Sequence, residues 1–374
     1  MKRPGTYLAA AAILLSVTVA RSGHELPVYP SYYPHEIQLE TVAPDRAGGL
    51  LSTGKLHAYI GAEPRFSGAP PDAVRSVESL GSLIAVRINP QSPHARDAAE
   101  RCAIVTMIQR HAVRGAAWRF HPYPVTPMHG DYLQHADRAA AALAAASAAP
   151  DMGSLKVRAD SRVAAALLRS EWQADTTWDA EIVEADLGML TASRAYAMNG
   201  WSGPPWLRAG WFHAQLLLGA VTRTDTETAQ IDELIERLET GRHISPADRI
   251  NLERDLVAAL GKGCHAAALG YTVRREYTNA EFSAGIENVG YDWLDGIASG
   301  IFLRTAKLKD FPWNGWLAVG ISDRHGAAWN PIAGMTDRFG RLMWSAVGDA
   351  ALLPSPYGPG WMINRVSDIK AGAP

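Results

Sequence analysis

Cysteine is scarce, with two residues in 374, at positions 102 and 264. That excludes a small scaffold held together by a dense disulfide framework. A dominant charge is also missing. Lys and Arg number 36 against 38 Asp and Glu, a formal charge of −2, and no segment gathers the basic footprint of a nucleic-acid binder. Beyond the N-terminus no stretch sustains the roughly 18 apolar residues that a further membrane span requires. The zincin HExxH, haem-attaching CxxCH, dinucleotide GxGxxG and hydrolase GxSxG patterns are all absent. With 47% hydrophobic and 20% charged residues the chain is not of the disordered class. Its length allows two globular domains or one large one.

The first segment has a positive start, Lys2-Arg3, followed by an apolar stretch from Tyr7 to Ala20. The stretch is of signal-peptide length and short for a spanning helix. Thr18 and Ala20 flank Val19 in a small-residue cleavage pattern, so residues 1–20 read as a signal peptide and the mature chain begins at Arg21. No stable transmembrane domain is expected after cleavage, and the location is periplasmic or secreted. An oxidising compartment makes a Cys102–Cys264 disulfide chemically accessible, the alternative being two buried apolar thiols.

The pattern along the chain is mixed α/β. Residues 36–42 alternate as a half-buried strand, Pro44 opens a short helix that Gly54 can end, and 56–60 form a second strand. This is a βαβ order, which packs a helix on a parallel sheet. Residues 83–88 predict another strand, 96–115 a helix, 119–130 an irregular segment and 131–148 an alanine-rich helix. Residues 183–190 predict strand followed by helix, and helices are expected over 206–221, 227–239 and 246–261. The last is marked by Ser245-Pro246 and Asp248 at its start. The remainder is glycine- and aromatic-rich, with elements near 297–306, 316–322 and 338–349. The expected architecture is two-lobed α/β with a helical elaboration. Residues 21–150 form a first lobe, 151–270 a second lobe carrying the elaboration, and 271–374 a C-terminal portion that completes the lobes. The coarse order of the first half resembles that of a periplasmic solute-binding protein, which implies a ligand cleft between lobes that close on it.

Several side chains are candidates for chemistry. Gly49 to Leu56 nearly imitates a phosphate-binding loop, but Leu56 stands where a magnesium-contacting Ser or Thr is required, and a helix C-cap fits better. The densest polar cluster runs from His121 to His135. Within it His129, Asp131 and His135 could hold a transition metal, Asp131 and His135 sharing one helical face. Trp206, Trp211 and Leu217 flank His213, which reads as a buried histidine with one hydrogen-bond partner. His325, with Asp323 or Asp337, could shuttle a proton. Trp313, Trp316 and Trp329 with Arg324 could line a ligand cleft, since indole stacks on planar ligands and offers one directional N–H.

These readings give an exported protein whose partner is a small-molecule ligand, apolar, aromatic or sugar-like, held in an aromatic-lined cleft. One alternative is a periplasmic metalloprotein or metal-dependent enzyme using the His129–Asp131–His135 region. Another is an accessory component bound to an envelope protein partner.

Overall fold

The computed structural model describes residues 34, 36–146, 155–172, 174, 176–188, 205–311, 315–324, 337–347 and 352–364. Residues 1–20, His24, His35, Trp313, His325 and Trp329 lie outside them. The chain is a mixed α/β protein built on a central mixed sheet. Its strands are β1 (Glu36–Thr41), β2 (Ala58–Ile60), β3 (Val74–Ile88), β4 (Arg119–Phe120), β5 (Val157–Ala159), β6 (Ala180–Asp186) and β7 (Ala266–Asn279). A small pair, β8 (Ile286–Glu287) with β9 (Lys307–Leu308), precedes the last strand of the main sheet, β10 (Trp316–Ile321). A hairpin of β11 (Leu352–Pro354) and β12 (Trp361–Ile363) follows.

The main sheet runs β1-β10-β2-β7-β3-β6-β5, with β4 pairing β7 beside that path. β1 and β2 both lie parallel to β10, so the expected βαβ unit is present with a later strand inserted at its centre. β7 is antiparallel to both β2 and β3, and β3 to β6. Strands from the segments 21–150, 151–270 and 271–374 thus pair within one sheet.

Helix α1 (Pro44–Ser52) opens on proline, with Asp45 in its first turn, and stops where Gly54 takes φ 70°. That conformation favours glycine, and it makes the near phosphate-binding loop a helix end. α2 (Ala98–His111) is capped by Asp97, whose carboxylate accepts the Glu100 N–H at 2.9 Å. α3 (Ala136–Ala145) follows a single 3₁₀ turn over Tyr132–Gln134, and α4 (Arg162–Ala165) is one turn long. The helical elaboration comprises α5 (Gly210–Leu218), α6 (Asp225–Glu239) and α7 (Pro246–Gly261). Thr224 and Glu227 form a reciprocal capping box on α6. The Ser245 hydroxyl accepts the Asp248 N–H at 3.1 Å on α7, as its sequence signature predicts. α8 (Gly300–Thr305) and α9 (Arg338–Val347) follow among the described residues.

The sheet is covered on both faces, which is why the second half of β3 reads Leu83-Ile84-Ala85-Val86 without polar alternation. Ile84, Val86 and Ile88 pack with Ile104 and Ile108 of α2. Leu83 and Ala85 face Trp211, Phe212 and Leu217 of α5 and Leu256, Val257 and Leu260 of α7. Each fully buried Leu or Phe contributes roughly 1.5–3 kcal/mol relative to exposure. At the other end Ile60, Leu317 and Val319 meet Phe302 of α8 and Phe339 of α9. Cys102 and Cys264 form a disulfide with a Cα–Cα distance of 5.0 Å, joining α2 to the turn between α7 and β7.

Candidate functional site

The irregular segment 121–135 lies against α5 and α7, and two polar clusters meet there. The first is a chain of histidines. The Thr126 N–H donates to His129 Nδ1 at 2.9 Å, which fixes the His129 ring proton on Nε2. His129 Nε2 lies 2.9 Å from His213 Nδ1, and His213 Nε2 lies 2.9 Å from the Leu207 carbonyl. One direction of donation satisfies every atom, with His129 Nε2–H donating to His213 and His213 Nε2–H donating to Leu207. Both rings are buried and neutral. Burial pushes the His213 pKa down to about 4 and holds His129 well below the usual imidazole value, with the neighbouring His213 adding to the effect.

The second cluster is less complete. Asp131, His135 and Glu253 bring one donor atom each within 4.8 Å of one another, and all three side chains are buried. Asp131 Oδ2 accepts the Gly210 N–H at 2.8 Å, at the start of α5, where the helix end favours negative charge. His135 Nδ1 lies 2.9 Å from the Tyr123 hydroxyl. The remaining atoms, Asp131 Oδ1 and His135 Nε2, are buried with no hydrogen-bond partner. Glu253 comes from the middle of α7, with Arg249 Nε 3.5 Å away in a geometry that is an ion pair but not a hydrogen bond.

Burial controls the titration of this cluster. It pushes Asp131 up to about 6, against the Gly210 hydrogen bond, and Glu253 up to about 7, against the Arg249 charge. It pushes His135 down to about 4, helped by Arg254 and Arg138. A carboxyl–imidazole–carboxyl set of this kind can share protons or hold a cation.

The expected metal trio is therefore redrawn. Asp131 and His135 come together, but not on the shared helical face that the spacing suggested: Asp131 precedes the 3₁₀ turn and holds the start of α5, and His135 is the residue before α3. His129 is spent in the histidine chain and has no lone pair left to offer. Glu253 takes its place, and it was missed. Its signal was present in the sequence as an acidic residue set among Leu252, Leu256, Val257 and Leu260, on a helix face that should be apolar.

Of the expected aromatic wall, Trp313 and Trp329 lie outside the described residues. Trp316 opens β10 and is 66% exposed. Arg324 is also exposed and follows the far end of that strand. Six strand residues separate the two ends by roughly 16 Å, so Trp316 and Arg324 do not share a wall.

A different recess, with a volume of about 180 Å³, lies where β2 ends against β7 and the start of α9. Gly61, Ala62, Glu63, Val273, Arg274, Arg275, Glu276 and Arg338 line it. Gly61 has φ 104°, and a Cβ there would sit 2.4 Å from Ser322 Oγ and 2.5 Å from Phe339 Cζ, so only glycine fits. Glu276 is buried, accepts the Ile297 N–H at 2.7 Å and pairs with Arg338. Arg274 Nε and Arg338 Nε are buried without an acceptor. A larger depression of about 550 Å³ between α6 and α7 is lined by Gln230, Glu233, Leu234, Asp255 and Lys262 among others.

No protein-family model matches the chain, and no curated protein matches it. Solved structures with partly similar folds include the PBP AgaA from A. tumefaciens R10 in complex with agropinic acid. It is 13% identical over 71% of this chain and 59% of that chain, with a TM-score of 0.37. The periplasmic binding protein DppA from Helicobacter pylori, in complex with the peptide STSA, is 11% identical over 71% and 55%, with a TM-score of 0.39. The oligopeptide-binding protein AppA from Bacillus subtilis, in complex with a nonapeptide, is 13% identical over 71% and 59%, with a TM-score of 0.37. The chain spans less than two thirds of the length of each. At these scores the likenesses carry no functional argument. No helix among the described residues is long and apolar enough to cross a membrane.

Proposed function

We propose that this is an exported small-ligand-binding protein that holds a compact carboxylate-bearing solute in the recess between β2, β7 and α9. The observation that carries the reading is the convergence of three guanidinium-bearing residues, Arg274, Arg275 and Arg338, on one recess. Three guanidinium groups and two carboxylates line it, an excess of one positive charge that a carboxylate would complement. At about 180 Å³ the recess has room for a small solute such as an amino acid. Export is supported by the signal-like residues 1–20 and by the disulfide, which suits an oxidising compartment.

The aromatic wall is the competing position, and it would take an apolar, aromatic or sugar-like ligand. Native mass spectrometry of gently purified mature protein, followed by calorimetry with small carboxylates and amino acids, separates the two. The recess predicts a retained small acid whose affinity falls about tenfold in Arg338→Lys, which keeps the positive charge beside Glu276 but loses the guanidinium fork. Unchanged affinity in that variant, with a loss in Trp316→Ala, would move the site to the aromatic wall. An empty protein that responds to no solute and copurifies with an envelope protein would reject ligand binding altogether.

A further inference from the structure

We propose that Asp131, His135 and Glu253 bind one divalent transition-metal ion, which ties the 121–135 segment to the middle of α7. The inference is independent of the solute recess, which lies between other elements. It rests on chemistry that the three side chains leave unfinished. Asp131 is 2% exposed and His135 is fully buried, yet one atom of each, Oδ1 and Nε2, has no partner. Buried polar atoms are almost always paired, so two orphans on residues whose donor atoms gather with one from Glu253 within 4.8 Å mark a place where something is held.

Charge identifies the occupant. Two buried carboxylates cannot both ionise without compensation, and the nearest cation, Arg249, meets Glu253 without a hydrogen bond. A divalent ion brings the sum with Asp131 and Glu253 to zero. The donor set of one imidazole nitrogen and two carboxylate oxygens suits zinc or manganese and, having no sulfur, does not favour copper(I). Bonds of about 2.0–2.2 Å draw the donors inward, a movement that side-chain rotation supplies.

The surroundings already do what outer groups do at metal sites. With the His135 ring proton on Nδ1, that N–H donates to the Tyr123 oxygen 2.9 Å away and leaves the Nε2 lone pair for the ion. The Gly210 N–H holds Asp131 by Oδ2 and leaves Oδ1 free. The start of α3, which follows that segment directly, is joined to α7 by Arg254 to Asp137 at 2.6 Å and by Arg138 to Asp255 at 3.4 Å. An ion here would therefore clamp a junction that is already built. The three donors are all buried, and a water would complete the coordination of an ion held there.

The test uses the intact mature protein, stripped with a chelator and reloaded with zinc chloride or manganese chloride. Elemental analysis after gel filtration should give one ion per chain, with a rise in Tm on reloading. Glu253→Gln and Asp131→Asn should each weaken affinity about 100-fold, while Tyr123→Phe should weaken it about tenfold, the usual cost of losing an outer partner. His129→Gln should leave one ion per chain. X-ray absorption on zinc-loaded wild type gives a reading that survives if a variant fails to fold, and it should show one imidazole with oxygen donors. Two or more imidazoles would assign the metal to other histidines and overturn the proposal. So would unchanged occupancy in Glu253→Gln, or a wild-type protein that retains no ion and shows no shift in Tm.

Discussion

The two polar clusters that meet beside α5 contain the same kinds of atoms and have opposite accounts. In one, Thr126, His129, His213 and Leu207 pass hydrogen bonds from donor to acceptor until nothing is left over. In the other, Asp131 and His135 each keep a buried atom with no partner. His129 and Asp131 are two residues apart, so proximity in sequence does not decide which side chains hold a ligand. What decides is which lone pairs the backbone has already used. A histidine claimed by an amide N–H on one side and a second imidazole on the other is a structural member, however ligand-like its neighbours look.

Acid and base should separate the clusters most strongly. His213 has a folded pKa of about 4 against 6.5 unfolded. The unfolded chain therefore binds more protons between those values, and this stability is complete above pH 6.5 and lost as pH falls toward 4. Asp131 and Glu253 run the other way, at about 6 and 7 against 3.8 and 4.5. In metal-free protein their contribution is complete below about pH 4 and lost as pH rises through 6 to 7. Each of these groups is worth about 3 kcal/mol, and His135, also pushed down to about 4, adds to the acid limb. Urea denaturation across pH 4–8 should show His213→Leu reducing the acid limb and Glu253→Gln the alkaline one. If both variants reduce the same limb, the clusters are not distinct.

At fixed pH 7, His213→Leu strands the His129 Nε2–H and the Leu207 carbonyl, and should cost about 2–3 kcal/mol with metal content unchanged. Gly210→Ala should cost about 1–3 kcal/mol, because its Cβ would lie 2.5 Å from Val125 Cγ1 and 3.1 Å from Asp131 Oδ1. The smallest effect belongs to Tyr123→Phe, about 1 kcal/mol in metal-free protein, measured by thermal unfolding. An equal loss in His213→Leu protein would show that the two clusters act independently.

The contrast also explains what could be read from the chain alone. α7 was legible to its ends because Ser245, Pro246 and Asp248 act within one turn, and α1 because Pro44 and Gly54 bracket it. β7 was not. Its Arg274, Arg275 and Glu276 look like a solvated stretch, and they make a strand only because Glu78, Arg338 and the Ile297 N–H arrive from elsewhere. The 83–88 strand grew to Val74–Ile88 for the same reason, since its first half pairs with β7. The helix expected over 206–221 contracted to Gly210–Leu218, opening at the residue whose N–H holds Asp131. Asp131 and His135 were visible through local spacing. Glu253, more than a hundred residues away, could be suspected only from its intrusion on an apolar face.

The Cys102–Cys264 bridge closes a loop with a sequence separation of 162, and that loop holds both polar clusters, α3 to α7 and strands β4 to β6. A single backbone cut anywhere inside it leaves one covalent molecule. A protease that nicks this half of the chain would therefore release no fragment under oxidising conditions, and gel mobility would report the break only after reduction.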